Sequence, residues 1–270
     1  MKNKLLLGAM ALPVAAMGVV AQPSVAEAQI TPGFATGTNW SGMYADVLFG
    51  GAWGTSAQRD NGSTTTTTII ITSGIPGDGR YNISGPVLGG GFGYNWQNGS
   101  TVVGWEADLS WADVSGHSNS CGGIVDNCGT KVEALGTLRA RLGMALGGTP
   151  TYSGLPTKAA PPASSRGTLV YITGGWAYGD VHAWDSITPA SGTKWFTGGW
   201  TLGGGVEWAL QGNWSAKLEY LYVDLGRKAV FDIAPGIPEF VGVKMNVVRF
   251  GLSYKFDSTS WGKAPVVAKY

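Results

Sequence analysis

Several charged side chains in this sequence come in couples two residues apart. Glu106 and Asp108 form one couple, Arg139 and Arg141 another, Lys217 and Glu219 a third. A spacing of two puts both members on one face of an extended strand. Two carboxylates facing two guanidiniums could do acid–base chemistry, bind an ion, or neutralise one another. Catalysis needs a nucleophile and a base, and the histidines are few: His117 and His182, neither beside a nucleophile motif. The runs Gly89-Gly90-Gly91 and Gly203-Gly204-Gly205 look like phosphate loops, but no helix pattern follows either, so they read as sheet glycines. His117 beside Cys121 and Cys128 lacks a second ligand pair for a metal. The expectation is no enzyme, no cofactor and no metal, with the charges serving each other.

Eight stretches of period-2 alternation must position these groups. They fall near 42–54, 85–97, 101–114, 130–145, 167–180, 194–210, 214–225 and 243–256, separated by turn-rich sequence. Each reaches the ~9–11 residues that a tilted membrane strand needs. In the third, Val103, Trp105, Ala107, Leu109 and Trp111 oppose Gly104, Glu106, Asp108 and Ser110. In the fourth, Val132, Ala134, Leu138, Ala140 and Leu142 oppose Thr137, Arg139 and Arg141. In the eighth, Val248, Phe250, Leu252, Tyr254 and Phe256 oppose Arg249, Gly251, Ser253 and Lys255.

Away from strand ends, every charge sits opposite the apolar face: Asp46, Glu106, Asp108, Lys131, Glu133, Arg139, Arg141, Glu207, Lys217, Glu219, Arg249 and Lys255. Chance would give that shared parity roughly 1 time in 64. A soluble barrel turns its apolar face inward. A barrel in lipid inverts this, with the apolar face outward and the polar face in the lumen. Tryptophans and tyrosines such as Trp96, Trp111, Trp176, Trp200, Trp208, Trp214 and Tyr254 recur toward segment ends on the apolar side, as interfacial girdles do. The pattern reads as an all-β fold, an eight-stranded antiparallel up-and-down transmembrane barrel. A strand in lipid cannot leave backbone groups unpaired, so the sheet must close.

The beginning of the chain reads as a secretory signal. Lys2 and Lys4 precede an apolar run from Leu5 to Ala21, and Ala26-Glu27-Ala28 offers small residues at the cleavage positions. The expected organisation is a signal peptide over 1–28, a barrel over 29–256 and an extension over 257–270. Without Lys2, Lys4 and Glu27 the remainder carries 16 basic and 16 acidic side chains. This balance argues against a nucleic-acid partner. Export passes an oxidising compartment, so a disulfide between Cys121 and Cys128 is expected.

Asn39-Trp40-Ser41-Gly42-Met43-Tyr44, Gly89 to Gln97, Gly136 to Gly143, the long run from Gly199 to Gly226 and the ending Val248 to Phe256 carry a family likeness. Over essentially the whole chain to residue 256 the sequence resembles the small alphaproteobacterial outer-membrane barrels known as porin-family or outer-membrane immunogenic proteins, with an OmpA-like fold. The resemblance implies the cell outer membrane as location. It implies the lipid bilayer, lipopolysaccharide and the barrel-assembly machinery as partners, with an extracellular ligand or host surface as a further one. Two departures stand out: residues 257–270 follow the last aromatic, and the inner turn 146–166 is long and proline-rich. An even strand number sets both termini in the periplasm and the long loops 55–84, 115–129, 181–193 and 226–242 outside.

Eight strands leave a bore just wide enough for side chains. The charges inside it must pair. Adjacent strands suggest Glu106 and Asp108 with Arg139 and Arg141, and Glu207 with Lys217 set level by its hairpin. The expected role is a structural surface barrel whose bore is largely closed by paired charges. The alternatives are a narrow polar channel and a haem- or host-binding surface protein, with His117 and His182 as haem ligands. The run from Thr64 to Ile71 is expected to extend the first outer hairpin.

Overall fold

A computed structural model describes residues 38–60, 65–66, 69–70, 79–121, 124–147, 167–185, 190–234 and 237–256. The signal sequence, the 257–270 extension and nearly all of the 146–166 turn lie outside the described residues. Eight long strands form one closed ring: β1 (Gly42–Asp60), β4 (Arg80–Asn98), β5 (Thr101–Cys121), β6 (Ile124–Leu146), β7 (Thr168–Asp185), β8 (Ala190–Ala209), β9 (Trp214–Ala234) and β10 (Ile237–Lys255). Every neighbour is antiparallel, and β1 closes the ring by pairing with both β4 and β10. The up-and-down barrel follows from the alternation: each strand has one face that lipid accepts and one that it rejects. Tight turns end one side of the barrel, where Gly99 (φ 60°) and Gly212 (φ 69°) take the left-handed backbone that glycine tolerates. Among the described residues no helix is long and apolar enough to cross a membrane.

The strands run further than the alternation implied, always at the other, hairpin end. The sequence at 115–129, 181–193 and 226–242, expected as loops, is largely paired strand. Within the first loop, Thr65–Thr66 (β2) pairs with Ile69–Ile70 (β3) as a separate small ladder, not as an extension of the β1–β4 hairpin. A twenty-residue strand tilted by ~40° is about 50 Å tall, roughly twice the ~25 Å apolar band of such barrels. Half of the barrel therefore stands clear of the membrane.

The side chains divide along the same line. Around the turn-side half, Val47, Phe49, Leu109, Leu142, Ile172 and Leu202 face outward and are exposed. Trp53, Trp111, Trp176 and Trp200 rim this band on the hairpin side, and Trp96, Trp208, Trp214 and Tyr254 on the turn side. Toward the hairpin end the polarity reverses. There Val114, Val132, Val181, Phe196, Val223, Val243 and Met245 fill the lumen as one buried cluster. The outside there carries Asp113, Lys131, Glu133 and Lys244. In water the ordinary rule of an apolar inside returns.

Bulges manage the change of phase. The register shifts between Trp111 and Val114, between Val132 and Ala134, between Ala177 and Gly179, and between Val243 and Lys244, where Gly226 has φ 76°. One inserted residue turns the rest of a strand over. This corrects the placement of Lys131 and Glu133. They share the sequence parity of Arg139, but the β6 bulge sends them outward, where their side chains are 37% and 47% exposed. Above the apolar cluster, Ser56, Gln58, Tyr81 and Thr130 bond to one another. Burial pushes the Tyr81 phenol up to about 12, which keeps it a neutral hydrogen-bond partner.

Phe196→Ala should remove the largest fully buried apolar side chain of the upper cluster, at a cost of ~3–5 kcal/mol. The check is the urea midpoint of the refolded barrel; a midpoint unchanged from wild type contradicts an apolar core there.

Candidate functional site

The turn-side half of the lumen holds a layer of charge contributed by six strands. Asp46 comes from β1, Glu106 and Asp108 from β5, Arg139 and Arg141 from β6, Glu207 from β8, Lys217 and Glu219 from β9, and Arg249 from β10. All nine are at most 5% exposed. Each follows from strand alternation: with the apolar face turned to lipid, the opposite parity must point in.

The layer is one connected lattice. The Arg139 guanidinium reaches Glu106 Oε1 at 2.5 Å, Asp108 Oδ2 at 3.0 Å and, across the bore on β9, Glu219 Oε1 at 2.8 Å. Arg249 donates from Nε to Glu219 Oε2 at 2.8 Å and from its two terminal nitrogens to both Asp108 oxygens at 2.9 Å. Lys217 Nζ sits 2.5 Å from Asp46 Oδ2 and 2.8 Å from Glu106 Oε2. Arg141 pairs with Glu207 and lies 3.7 Å from Glu106.

Two placements depart from the sequence reading. Glu207 and Lys217 are direct cross-strand neighbours in the β8–β9 register, yet they do not pair. The long lysine reaches over to β1 and β5, while Glu207 takes Arg141 and accepts from Ser215 Oγ at 2.5 Å. A bore this narrow lets a side chain choose partners across it as readily as beside it. Lys255 is not in the lattice. It stands at the turn-side mouth, where Nζ donates to the Asn39 carbonyl at 2.5 Å.

Neutral side chains that the charge pattern did not flag complete the layer. Tyr44 Oη donates to Glu106 at 2.8 Å and accepts from Arg141 at 3.0 Å. Tyr171 Oη donates to Glu219 at 3.0 Å, and its ring stacks 3.7 Å from the Arg141 guanidinium. Thr137 donates to Asp108 at 2.5 Å. Tyr44 was legible, since it shares the parity of Asp46. Tyr171 had no charged neighbour on β7 to mark its face. The glycines make the room. A Cβ on Gly93 would stand 2.5 Å from Tyr44 Oη, and one on Gly205 2.6 Å from Tyr171 Oη. Gly93 and Gly205 thus leave the space that the two phenols occupy.

The stretch before β1 packs against part of the turn-side mouth. Trp40 is buried with Val102, Ala145, Leu169 and Tyr171. Its backbone N–H donates to Gln97 Oε1 at 2.7 Å, and Gly167 N–H donates to Thr38 Oγ1 at 3.1 Å. His117 and His182 lie on the barrel's outer surface, and His182 Nδ1 is 2.9 Å from Thr193 Oγ1. Cys128 is buried at the hairpin end, whereas the Cys121 side chain lies outside the described residues.

A barrel with an apolar band between aromatic rims and a charged lumen has a counterpart among protein families. The family model for the outer membrane protein beta-barrel domain matches residues 12–256. The chain belongs to this family of outer-membrane barrels. It is 32% identical over 264 residues to a 31 kDa outer-membrane immunogenic protein of Brucella melitensis, covering 90% of this chain and 93% of that one. It is also 32% identical over 218 residues to a 22 kDa outer membrane protein of Rhizobium leguminosarum, covering 81% and 79%. Among solved structures it aligns with Ail, the attachment invasion locus protein of Yersinia pestis, at 12% identity and a TM-score of 0.33, over 79% of this chain and 99% of that one. Family membership sets the barrel in the outer membrane, and with it the lipid-facing role of the apolar band.

Within this outer-membrane barrel, Glu106 touches Arg139, Lys217 and Tyr44 at once. Glu106→Ala should destabilise the barrel by ~3–5 kcal/mol, the usual cost of stranding a buried charge. The lipid-facing Leu109→Ala should cost less, because lipid fills the gap. Unheated-gel mobility against temperature checks this, and equal unfolding temperatures for the two variants would contradict the pairing.

Proposed function

We propose that this outer-membrane barrel is a structural surface protein whose bore is closed, and that it presents a rigid collar outside the cell. The observation that supports this most is the double filling of the lumen. The charge lattice spans it from β6 to β9, and the apolar cluster occupies the half beyond. A passing ion would have to break several buried pairs and then cross a dry core. The hairpin end, with its polar exterior, is the outward end in this reading. The turn end faces the periplasm, where the assembly machinery delivers the chain after removal of residues 1–28. The 257–270 segment is a periplasmic extension. No catalytic role enters the proposal.

Planar bilayers test the closure. Wild-type refolded protein should give no resolved ion steps, and Glu106→Ala alone should give none either, because the apolar cluster beyond the lattice still fills the bore. Steady ohmic steps from wild type would favour the alternative, a narrow polar channel.

A disulfide between Cys121 and Cys128 would clamp the β5–β6 hairpin at its tip. Closing so small a loop contributes at most roughly 2–3 kcal/mol. Intact-mass measurement of alkylated, unreduced protein from envelopes should find both thiols blocked; two alkylated cysteines would refute the bond.

A further inference from the structure

The collar above the membrane is electrically lopsided. On the β5–β7 side, Asp113, Glu133 and Asp180 face outward around a single Lys131, which lies 3.1 Å from Asp113. On the opposite side, across β4, β1, β10 and β9, the cations gather. The register sets one outward row as Arg80, Ala57, Gly242 and Arg227. The two arginines flank a floor of a methyl group and a hydrogen, three strand spacings or about 14 Å apart at the backbone. A Cβ placed on Gly242 would stand 3.8 Å from Arg227 Cβ and Nε, so the Arg227 side chain lies along this floor at ordinary contact distance. Lys244 closes the membrane side of this frame and Arg59 the hairpin side, each two residues along its strand from the floor.

Among the described residues, no carboxylate pairs with Arg59, Arg80 or Arg227. Lys244 alone has an acid, Asp224, at 3.0 Å. That bond raises the Lys244 pKa, while the nearby Arg80 charge opposes the rise. The height is fixed by the girdle: Trp53 and Tyr222 flank Asn246, one outward row below Lys244 and two below the arginines. Four cations around a flat, small-residue floor, just above the aromatic rim, match a headgroup with more than one phosphate. Long basic side chains can lower their charges toward the interface from that position. Guanidiniums suit phosphate because they donate in a fork.

We propose that the outward face of β4, β1, β10 and β9 above the girdle is a binding site for the phosphorylated headgroup of an outer-leaflet glycolipid, with Arg80 and Arg227 as the two flanking phosphate ligands and Arg59 and Lys244 completing the frame. The site rests on the hairpin end facing outward. The test below uses vesicles with the lipid in both leaflets, so a reversed orientation leaves its result unchanged and is settled separately by protease access in intact cells.

The full barrel is reconstituted in phosphatidylcholine vesicles containing a trace of spin-labelled lipid, and electron paramagnetic resonance reads the fraction held at the protein. The probes are bisphosphorylated lipid A, phosphatidylglycerol and phosphatidylcholine. Lipid A should be retained above both others, and 10 mM inorganic phosphate should not release it, at roughly the fivefold preference that one juxtamembrane cation provides or more. Arg80→Glu with Arg227→Glu should abolish the preference. Lys131→Glu, a single cation changed on β6 on the far side of the collar, should leave it intact. Folding of each variant is checked by its unheated gel band. Undiminished retention in the double variant overturns the site, as does equal loss in Lys131→Glu. Phosphatidylglycerol held as tightly as lipid A overturns the assignment to a multiply phosphorylated headgroup.

Discussion

Closing a sheet in lipid removes every free backbone edge and, in the same step, turns the usual polarity of a protein inside out. The lumen is then the only place in the membrane for a polar side chain, and with eight strands it is hardly wider than the side chains themselves. Charges in such a space have neither bulk water nor distance. They must meet partners directly, which is why Arg139 touches acids from β5 and β9, and why Lys217 abandons its cross-strand neighbour Glu207 for Asp46 and Glu106. The interior becomes one lattice because pairwise solutions within hairpins leave groups across the bore unsatisfied.

The same constraint explains the glycines. The lattice needs Tyr44 and Tyr171 to bridge arginine and carboxylate, and two phenols of that size fit only where the facing wall is bare. Gly93 and Gly205 are that wall. Once the barrel leaves the lipid the constraint lifts, and ordinary burial takes over: valines, Phe196 and Met245 inside, charges outside. The bulges in β6, β8 and β9 lie at this boundary, where a strand must exchange the residues on its two faces.

The strand number, the ring and the inward charges of the membrane half were legible because lipid enforces strict alternation. Glu106, Asp108, Arg139 and Arg141 alternate without interruption, and their faces could be read residue by residue. The upper half was not legible for a specific reason. Alternation changes phase at the bulges, so Lys131 and Glu133 inherit the wrong face from a count begun at Arg139. Turn-forming residues such as Gly116 and Gly129 sit inside paired strand and imitate loops. Cross-lumen partners were out of reach because strand register fixes neighbours along the sheet, while the bore lets flexible side chains choose across it. Tyr171, on a strand with no lumenal charge, had nothing beside it to mark its role.

The central claim is that the lattice binds opposite walls of the barrel by direct charge contact. Arg139 on β6 and Glu219 on β9 are one of the pairs that cross the bore. A double-mutant cycle with Arg139→Met and Glu219→Gln, read on the unfolding free energy in lipid vesicles, isolates their coupling. The account predicts a coupling toward the upper end of the ~0.5–3 kcal/mol range for contacting residues. A coupling indistinguishable from zero would mean that water, and not a direct contact, lies between the walls.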